Sequence, residues 1–364
     1  MRQNLQNLFL GTFDEENKVI YNEFRKVQLL LKEKTPLKDI HKTTGICYNR
    51  LYNWVRKNPS VPSSVRCFEK AMNRRYFNLD ENRLEILAYL VGYVFGDGSI
   101  SRDKCNVWFY GVSTDLPKIN IMLKGFQVKG TIRVYKIDNG KMVVCDNAFT
   151  RLLISLGAPI GDKTKQVALI PSWVLCSSKR VKVKFLQGIF DSELSCLQKI
   201  YDDRLPFQSL KFYTSRETTQ IEGGICFLNQ IRKILSEFDV TTSDIKKDRT
   251  YARSDGTIAT QLYFVIHSNY VNLYKFISHI GFLTNSKRRK SVLVHSKDIE
   301  NVAKSELEKI EKYKQCLELR KRGMSAYKVA NNLSIPTHLV KSWFYKNRKP
   351  RLFNSIKDGK NERF

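Results

Sequence analysis

At 364 residues, 42% of them hydrophobic, the chain is long enough for two or three domains with sizeable cores. Its formal net charge of +28, from 63 Lys and Arg against 35 Asp and Glu, is far from the balance of a metabolic enzyme and calls for a polyanionic partner. No apolar run reaches the roughly 18 to 20 residues of a membrane span, and the N-terminus lacks the basic-then-apolar layout of a secretory signal. Nucleic acid, met inside the cell in cytoplasm, nucleoid or organelle, is the expected partner. The eight cysteines form no C-x-x-C pair and the five histidines are not grouped with them, so no zinc site is expected and the cysteines read as reduced thiols.

Residues 1–75 read as a small helical module. Within it, residues 35–58 give a helix, a turn at Gly45 and a second helix with Leu51 and Trp54 at helical spacing, a helix-turn-helix pattern. Its second helix would offer Asn49, Arg50 and Asn53 to a major groove. The stretch NPSVPSS (58–64) reads as a linker, with the next unit starting near Tyr76.

Residues 87–100, LAYLVGYVFGDGSI, form one apolar run ending at Asp97-Gly98, a buried helix that stops at a carboxylate. Gly92 and Gly96, four apart, share a face that lets a second helix approach closely. An acid at the negative end of a helix needs a compensating cation, and a divalent metal would serve. A strand at 105–112, a helix at 115–126, a hairpin around Asn139-Gly140 and a helix from Asn147 complete a unit spanning 76–178. Trp108 and Phe109 are expected in its core.

A second unit, 179–297, repeats the order. FLQGIFDSELS from Phe185 places Gly188 and Ser192 four apart, with Glu193 lying 96 positions after Asp97. A strand at 208–214, a helix from Gly224, strands on either side of Asp255-Gly256 and a helix from Asn269 follow. Lys163, six residues after Gly157, matches Lys287, six after Gly281. In the last stretch, 298–364, residues 324–347 repeat the helix-turn-helix layout without a gap. Ile40 aligns with Val329, Ile46 with Ile335, Leu51 with Val340 and Trp54 with Trp343. Thr337, His338, Lys341 and Ser342 are the matching groove readers, and a pair of packing hairpins is the competing reading.

Residues 90–98 (LVGYVFGDG) and 186–194 (LQGIFDSEL) resemble the signature helices of two-motif, monomeric LAGLIDADG homing endonucleases. The resemblance covers about residues 80–297. It implies an α+β fold of two pseudo-symmetric αββαββα repeats, here flanked by helix-turn-helix modules. It further implies hydrolysis of both strands of a long asymmetric DNA site, with magnesium or manganese held by Asp97 and Glu193. Lys163 and Lys287 would then polarise the attacking water or anchor phosphate. Strand alternation puts Arg133, Tyr135, Lys211, Tyr213, Arg249 and Arg253 toward DNA. Asp191 is expected to be structural, since Phe95 stands at its place in the first repeat. Leu194 occupies the position of the family's second motif glycine, where a left-handed exit from the helix would cost leucine conformational strain. A start at Met1 and an end in NERF lead to the expectation of a free-standing, intron-encoded enzyme and not an intein. A non-cleaving DNA-binding regulator and an intron RNA maturase are the alternatives on this scaffold.

Overall fold

A computed structural model describes residues 2–56, 60–136, 139–200, 207–346 and 348–350. The chain divides into two compact units. The first takes residues up to Glu193 together with 216–224 and 283–285, and the second takes 194–215, 225–282 and everything from Ser286 onward.

The first unit opens with five helices: α1 (Arg2–Gly11), α2 (Glu15–Lys32), α3 (Leu37–Thr44), α4 (Tyr48–Val55) and α5 (Ser63–Asn73). The Asp14 carboxylate accepts the Asn17 N–H at 2.8 Å and starts α2 as an N-cap. Gly45 ends α3 at φ 70°, turning the chain so that Ile40, Leu51 and Trp54 meet Phe24 and Val27 of α2 in one core. The Phe24 and Trp54 rings pack edge to face at 5.3 Å. The linker expected at 58–64 is shorter than its composition suggests. Pro62, which has no N–H to satisfy, caps α5, and Ser63 and Ser64 are already helical; Pro59 lies outside the described residues.

The unit continues with α6 (Glu81–Phe95), β1 (Gly98–Ile100), β2 (Val107–Gly111), α7 (Leu116–Lys124), β3 (Thr131–Lys136), β4 (Asn139–Val144) and α8 (Asn147–Ser155), in αββαββα order. The strands form an antiparallel sheet in the order β1-β2-β4-β3. Val107, Phe109, Met142 and Val144 line its buried face, and the alternate residues Trp108, Tyr110 and Lys141 lie on the open one. After a 3₁₀ turn at Lys163–Lys165 come α9 (Ser172–Leu175) and α10 (Lys179–Glu193), which packs along α6.

In the rest of the chain, β5 (Leu210–Glu217), α11 (Ile221–Ser236), β6 (Lys246–Ala252), β7 (Ile258–Ile266) and α12 (Tyr270–His279) follow the same scheme with one strand fewer. The sheet here is β5-β7-β6. The strand that would match β1 is reduced to isolated bridges in one register, Leu194 with Phe212 and Lys199 with Phe207. Ser195 interrupts the ladder between them: its N–H donates to the Lys211 carbonyl, but its own hydroxyl accepts the Lys211 N–H at 2.8 Å, where a ladder carbonyl would otherwise act. This half therefore keeps the expected order with its first strand reduced to those bridges. Last come α13 (Ser286–Leu293), the long α14 (Ser296–Lys321), α15 (Ala326–Asn332) and α16 (Thr337–Tyr345). Tyr313 and Cys316 of α14 form a core with Val329, Val340 and Trp343. The fold class is α+β, with two small antiparallel sheets among sixteen α-helices in the described residues. All eight cysteines are free thiols. Among the described residues no helix is long and apolar enough to cross a membrane.

Candidate functional site

The crossing of α6 and α10 rests on backbone contact. A Cβ on Gly92 would collide with the Phe185 carbonyl, and one on Gly188 would collide with the Tyr89 carbonyl and stand 2.8 Å from the Tyr93 nitrogen. Only glycine admits an approach this close. Gly96 lies against the Ser192 hydroxyl, as the small-residue spacing predicts, and a Cβ there would be 3.3 Å from Cγ of Glu193. Glu193, half-buried, thus lies beside the residue that precedes the exposed Asp97.

Lys163 closes the end of α6. Its Nζ donates to the carbonyls of Val94 (3.1 Å), Phe95 (3.4 Å), Gly96 and Gly98 (3.0 Å). The first three are carbonyls that a helix C-terminus leaves without intrahelical partners, and the fourth belongs to the first residue of β1. A lysine therefore supplies cationic compensation at this helix end. Burial lowers the Lys163 pKa from its ordinary value, against the opposing pull of Glu193 and then Asp97, while Arg216 adds to the lowering. Arg216 itself is buried at the end of β5; burial lowers its pKa and the neighbouring Glu193 raises it. Sequence reading missed Arg216, although it falls on the inward phase of the strand with Leu210 and Phe212, where a cation needs a partner.

The end of α10 is built differently. Leu194 is fully buried and pairs with Phe212. It is absent from the residues with positive φ, and so is Gly98. The expected strain at Leu194 does not arise. Gly98 is required for a different reason, since a Cβ on it would stand 2.6 Å from Cα of Val94. Lys287 is exposed on α13. The next residue, Arg288, donates from Nε to the Leu194 carbonyl, the position that Lys163 serves at Gly98. A one-residue offset hid Arg288 from the repeat alignment.

Asp191 is buried and accepts from Tyr89 Oη (2.8 Å), the Leu283 N–H (3.0 Å) and the Thr284 N–H (2.6 Å) and hydroxyl (3.0 Å). Burial and then the Asp191 charge push the Tyr89 phenol well above its ordinary pKa. With its oxygens held by the scaffold, Asp191 ties the loop at 283–284 to α10.

On the open face of the first sheet, Arg133 pairs with Lys141 across β3 and β4. The Lys141 Nζ lies over Trp108 (5.2 Å), Tyr110 (5.8 Å) and Tyr135 (5.8 Å). Trp108 is therefore half-exposed on that face and outside the core where it was expected, whereas Phe109 is buried. In the second sheet the Tyr213 and Tyr263 rings lie 5.3 Å apart, with Lys211 over Tyr263 and Arg249 over Tyr251. Arg253 sits at the hairpin turn, its N–H donating to the Thr257 carbonyl and its guanidinium 4.0 Å from Asp255.

Of the groove readers, Asn49 and Asn53 are exposed on α4, and His338 and Lys341 on α16; Thr337 and Ser342 are half-buried. Arg50, also exposed on α4, pairs with Glu23 of α2 at 3.1 Å.

No protein-family model matches the chain. A subunit of DNA-directed RNA polymerase, Rpo1N, from Methanocaldococcus jannaschii is 26% identical over 295 residues, 76% of this chain and 20% of that protein. The tRNA-splicing ligase RtcB of the same organism is 28% identical over 44% of this chain and 19% of its own length, and its replication factor C small subunit is 28% identical over 56% and 11%. The chain thus spans about a fifth or less of these relatives. Among solved structures, full-length DUF199/WhiA from Thermatoga maritima is similar at 14% identity and a TM-score of 0.35, over 80% of this chain and 99% of that one. The meganuclease I-SmaMI bound to uncleaveable DNA is similar at 12% identity and a TM-score of 0.32, over 72% and 97%.

Proposed function

We propose that the chain is a site-specific endonuclease of duplex DNA, of the LAGLIDADG type and acting as a monomer on a long asymmetric site. The observation that carries this reading is that α6 and α10 cross with Glu193 against Gly96, next to Asp97 in sequence, while Lys163 feels both acids and Arg216 neighbours Glu193. Gathering charged groups at a helix crossing is costly unless they are paired, and Lys163 there also caps the α6 carbonyls.

Among the described residues no group of three His, Cys, Asp or Glu gathers to hold a metal. Asp97 and Glu193 offer hard oxygens only, which suits a magnesium-like ion that keeps water and phosphate oxygens in its remaining positions. Bound there, magnesium or manganese would neutralise phosphate charge and activate a water for hydrolysis. The chain's own residues prepare the place. Lys163 satisfies the α6 carbonyls, so the negative helix end and the Asp97 carboxylate can lie together. Arg216 keeps positive charge next to Glu193, and the open sheet faces set Lys and Arg among aromatic rings that suit phosphates and base edges. Three relatives of unrelated names match over small fractions of their length, which supports reading the shared segment as a module separable from what those proteins do.

A non-cleaving DNA-binding regulator is the second reading, and the engagement of Lys163 by four carbonyls favours it, because that ammonium is not directed to a substrate. The deciding test is magnesium-dependent cutting of a random duplex library, with Asp97→Asn and Glu193→Gln alongside. Double-strand cuts at one recurring site, weakened about 100-fold or more in each variant, are expected. Specific retention of duplex without cutting in magnesium or manganese would establish the regulator, and retention of intron RNA alone the maturase.

A further inference from the structure

The two terminal modules agree far beyond their helix-turn-helix cores. At a constant offset of 289 positions, Phe24 corresponds to Tyr313 and Val27 to Cys316, and each of these four is buried under its module. The edge-to-face contact of Phe24 with Trp54 at 5.3 Å has its counterpart in Tyr313 with Trp343 at 5.4 Å. The helices start in register, α3 at Leu37 with α15 at Ala326 and α4 at Tyr48 with α16 at Thr337. Both left-handed positions also recur: Lys34 (φ 59°) with Gly323 (φ 81°), and Gly45 (φ 70°) with Ser334 (φ 51°). Turn torsions set how one helix follows another, so the copies present their last helices in the same way.

What those helices present is different. Asn49, Tyr52 and Asn53 of α4 stand where α16 has His338, Lys341 and Ser342. Tyr52 is 58% exposed. Around the first helix pair, residues 35–58 hold five Lys or Arg against one Asp, and around the second, residues 324–347 hold three and no acid. Both surfaces therefore suit a polyanion.

Resting on the DNA reading above, we infer that the two terminal modules are copies of one docking unit that lay α4 and α16 into the major groove in the same orientation and read different bases. Asn49, Tyr52 and Asn53 specify one subsite, and His338, Lys341 and Ser342 a second, unrelated in sequence.

The test is a transplant within the full chain, Asn49→His, Tyr52→Lys and Asn53→Ser, at positions open to solvent. Duplex sites are selected from a random library without divalent metal, for the parent, the transplant, and the variants Asn49→Ala/Asn53→Ala and His338→Ala/Lys341→Ala. The two alanine variants should each relax a separate part of the parental site by about 10-fold. The transplant should replace the first of these parts with a second occurrence of the other. An unchanged parental site in all variants, at an unchanged thermal midpoint, would overturn the inference. So would a change in oligomeric mass with no change in site, which marks packing hairpins. A parent that selects no site at all would instead overturn the DNA reading itself.

Discussion

The terminal modules match residue for residue at one offset, down to two left-handed backbone positions, whereas the ends of α6 and α10 share little beyond carrying an acid. A lysine gathers the carbonyls at the first end and an arginine reaches one carbonyl at the second. The first end runs into a strand and the second into isolated bridges. The contrast teaches where a repeat is held. A three-helix module is specified by a few turn torsions and one buried cluster, so a copy keeps its geometry while its exposed side chains change freely. A site at the end of a helix depends on groups arriving from distant parts of the chain, and each copy can recruit them differently.

The largest effect should come from the contact on which both ends depend. Gly188→Val forces a side chain into the Tyr89 carbonyl and Tyr93 nitrogen, backbone atoms that cannot move aside. We expect about 3 kcal/mol or more of destabilisation, read by urea denaturation. A loss under about 1 kcal/mol would mean that the two helices are not held by backbone approach.

Next in size is the lysine pair that the sequence treats as equivalent. Lys163→Met strips donors from four carbonyls and should cost about 1–3 kcal/mol, whereas Lys287→Met, at an exposed position, should stay within about 0.5 kcal/mol. Equal losses from the two would restore the symmetry of the alignment and remove the asymmetry argued from Arg288.

A pH-dependent test concerns how the first terminal copy is fastened. Asp146, the N-cap of α8, is buried, which raises its pKa, but the Phe149 N–H and then Lys70 and Arg74 of α5 outweigh burial and hold it below its ordinary value. A depressed carboxylate stabilises the fold above its unfolded pKa of 3.8 and loses that stabilisation as pH falls through the folded value. Asp146→Asn, which keeps the cap, should therefore cost about 1–2 kcal/mol at pH 7, since both cations are partly exposed. The difference from the parent should close below pH 3.8. A gap that persists at low pH would assign the loss to packing.

How far these features could be read in advance follows from their range along the chain. The apolar run of α6, the alternation in β2 and the Asp-Gly turn at 255–256 are local signals, and the elements they predicted are present, whereas Asn139 and Gly140, expected at a turn, are the first residues of β4. Strand β1, three residues of Gly-Ser-Ile, is too short to show a period of two. The upstream extension of the terminal repeat was hidden because Phe24 and Tyr313, or Val27 and Cys316, share shape and burial without sharing identity. Lys163 is legible as a repeated residue, yet its partners lie 65 to 69 positions away, and no spacing rule tells carbonyl capping from contact with phosphate.

The smallest effect probes the terminal pair at one torsion. Gly45 sits at φ 70° with nothing within 4 Å of a Cβ built on it, so Gly45→Ala meets no steric obstacle. Its cost is the left-handed backbone of an L residue, about 1–2 kcal/mol, less the roughly 0.5–1 kcal/mol by which alanine restricts the unfolded chain. Ser334 already bears that strain at φ 51°, and Ser334→Gly relieves it. Part of the relief, roughly 0.5–1 kcal/mol, is offset by the greater freedom of glycine in the unfolded chain, leaving a net gain of about 0.5 kcal/mol. The measurement is hydrogen exchange of the amides in α3 and α4 against those in α15 and α16, which reads local opening of each module. Protection should fall in the first pair for Gly45→Ala and rise in the second for Ser334→Gly. Equivalent positions would then respond with opposite signs because one copy has glycine at the strained torsion and the other does not. Loss of protection in both would mean that the Ser334 side chain stabilises its turn, and that the two turns reach the same torsion by different means.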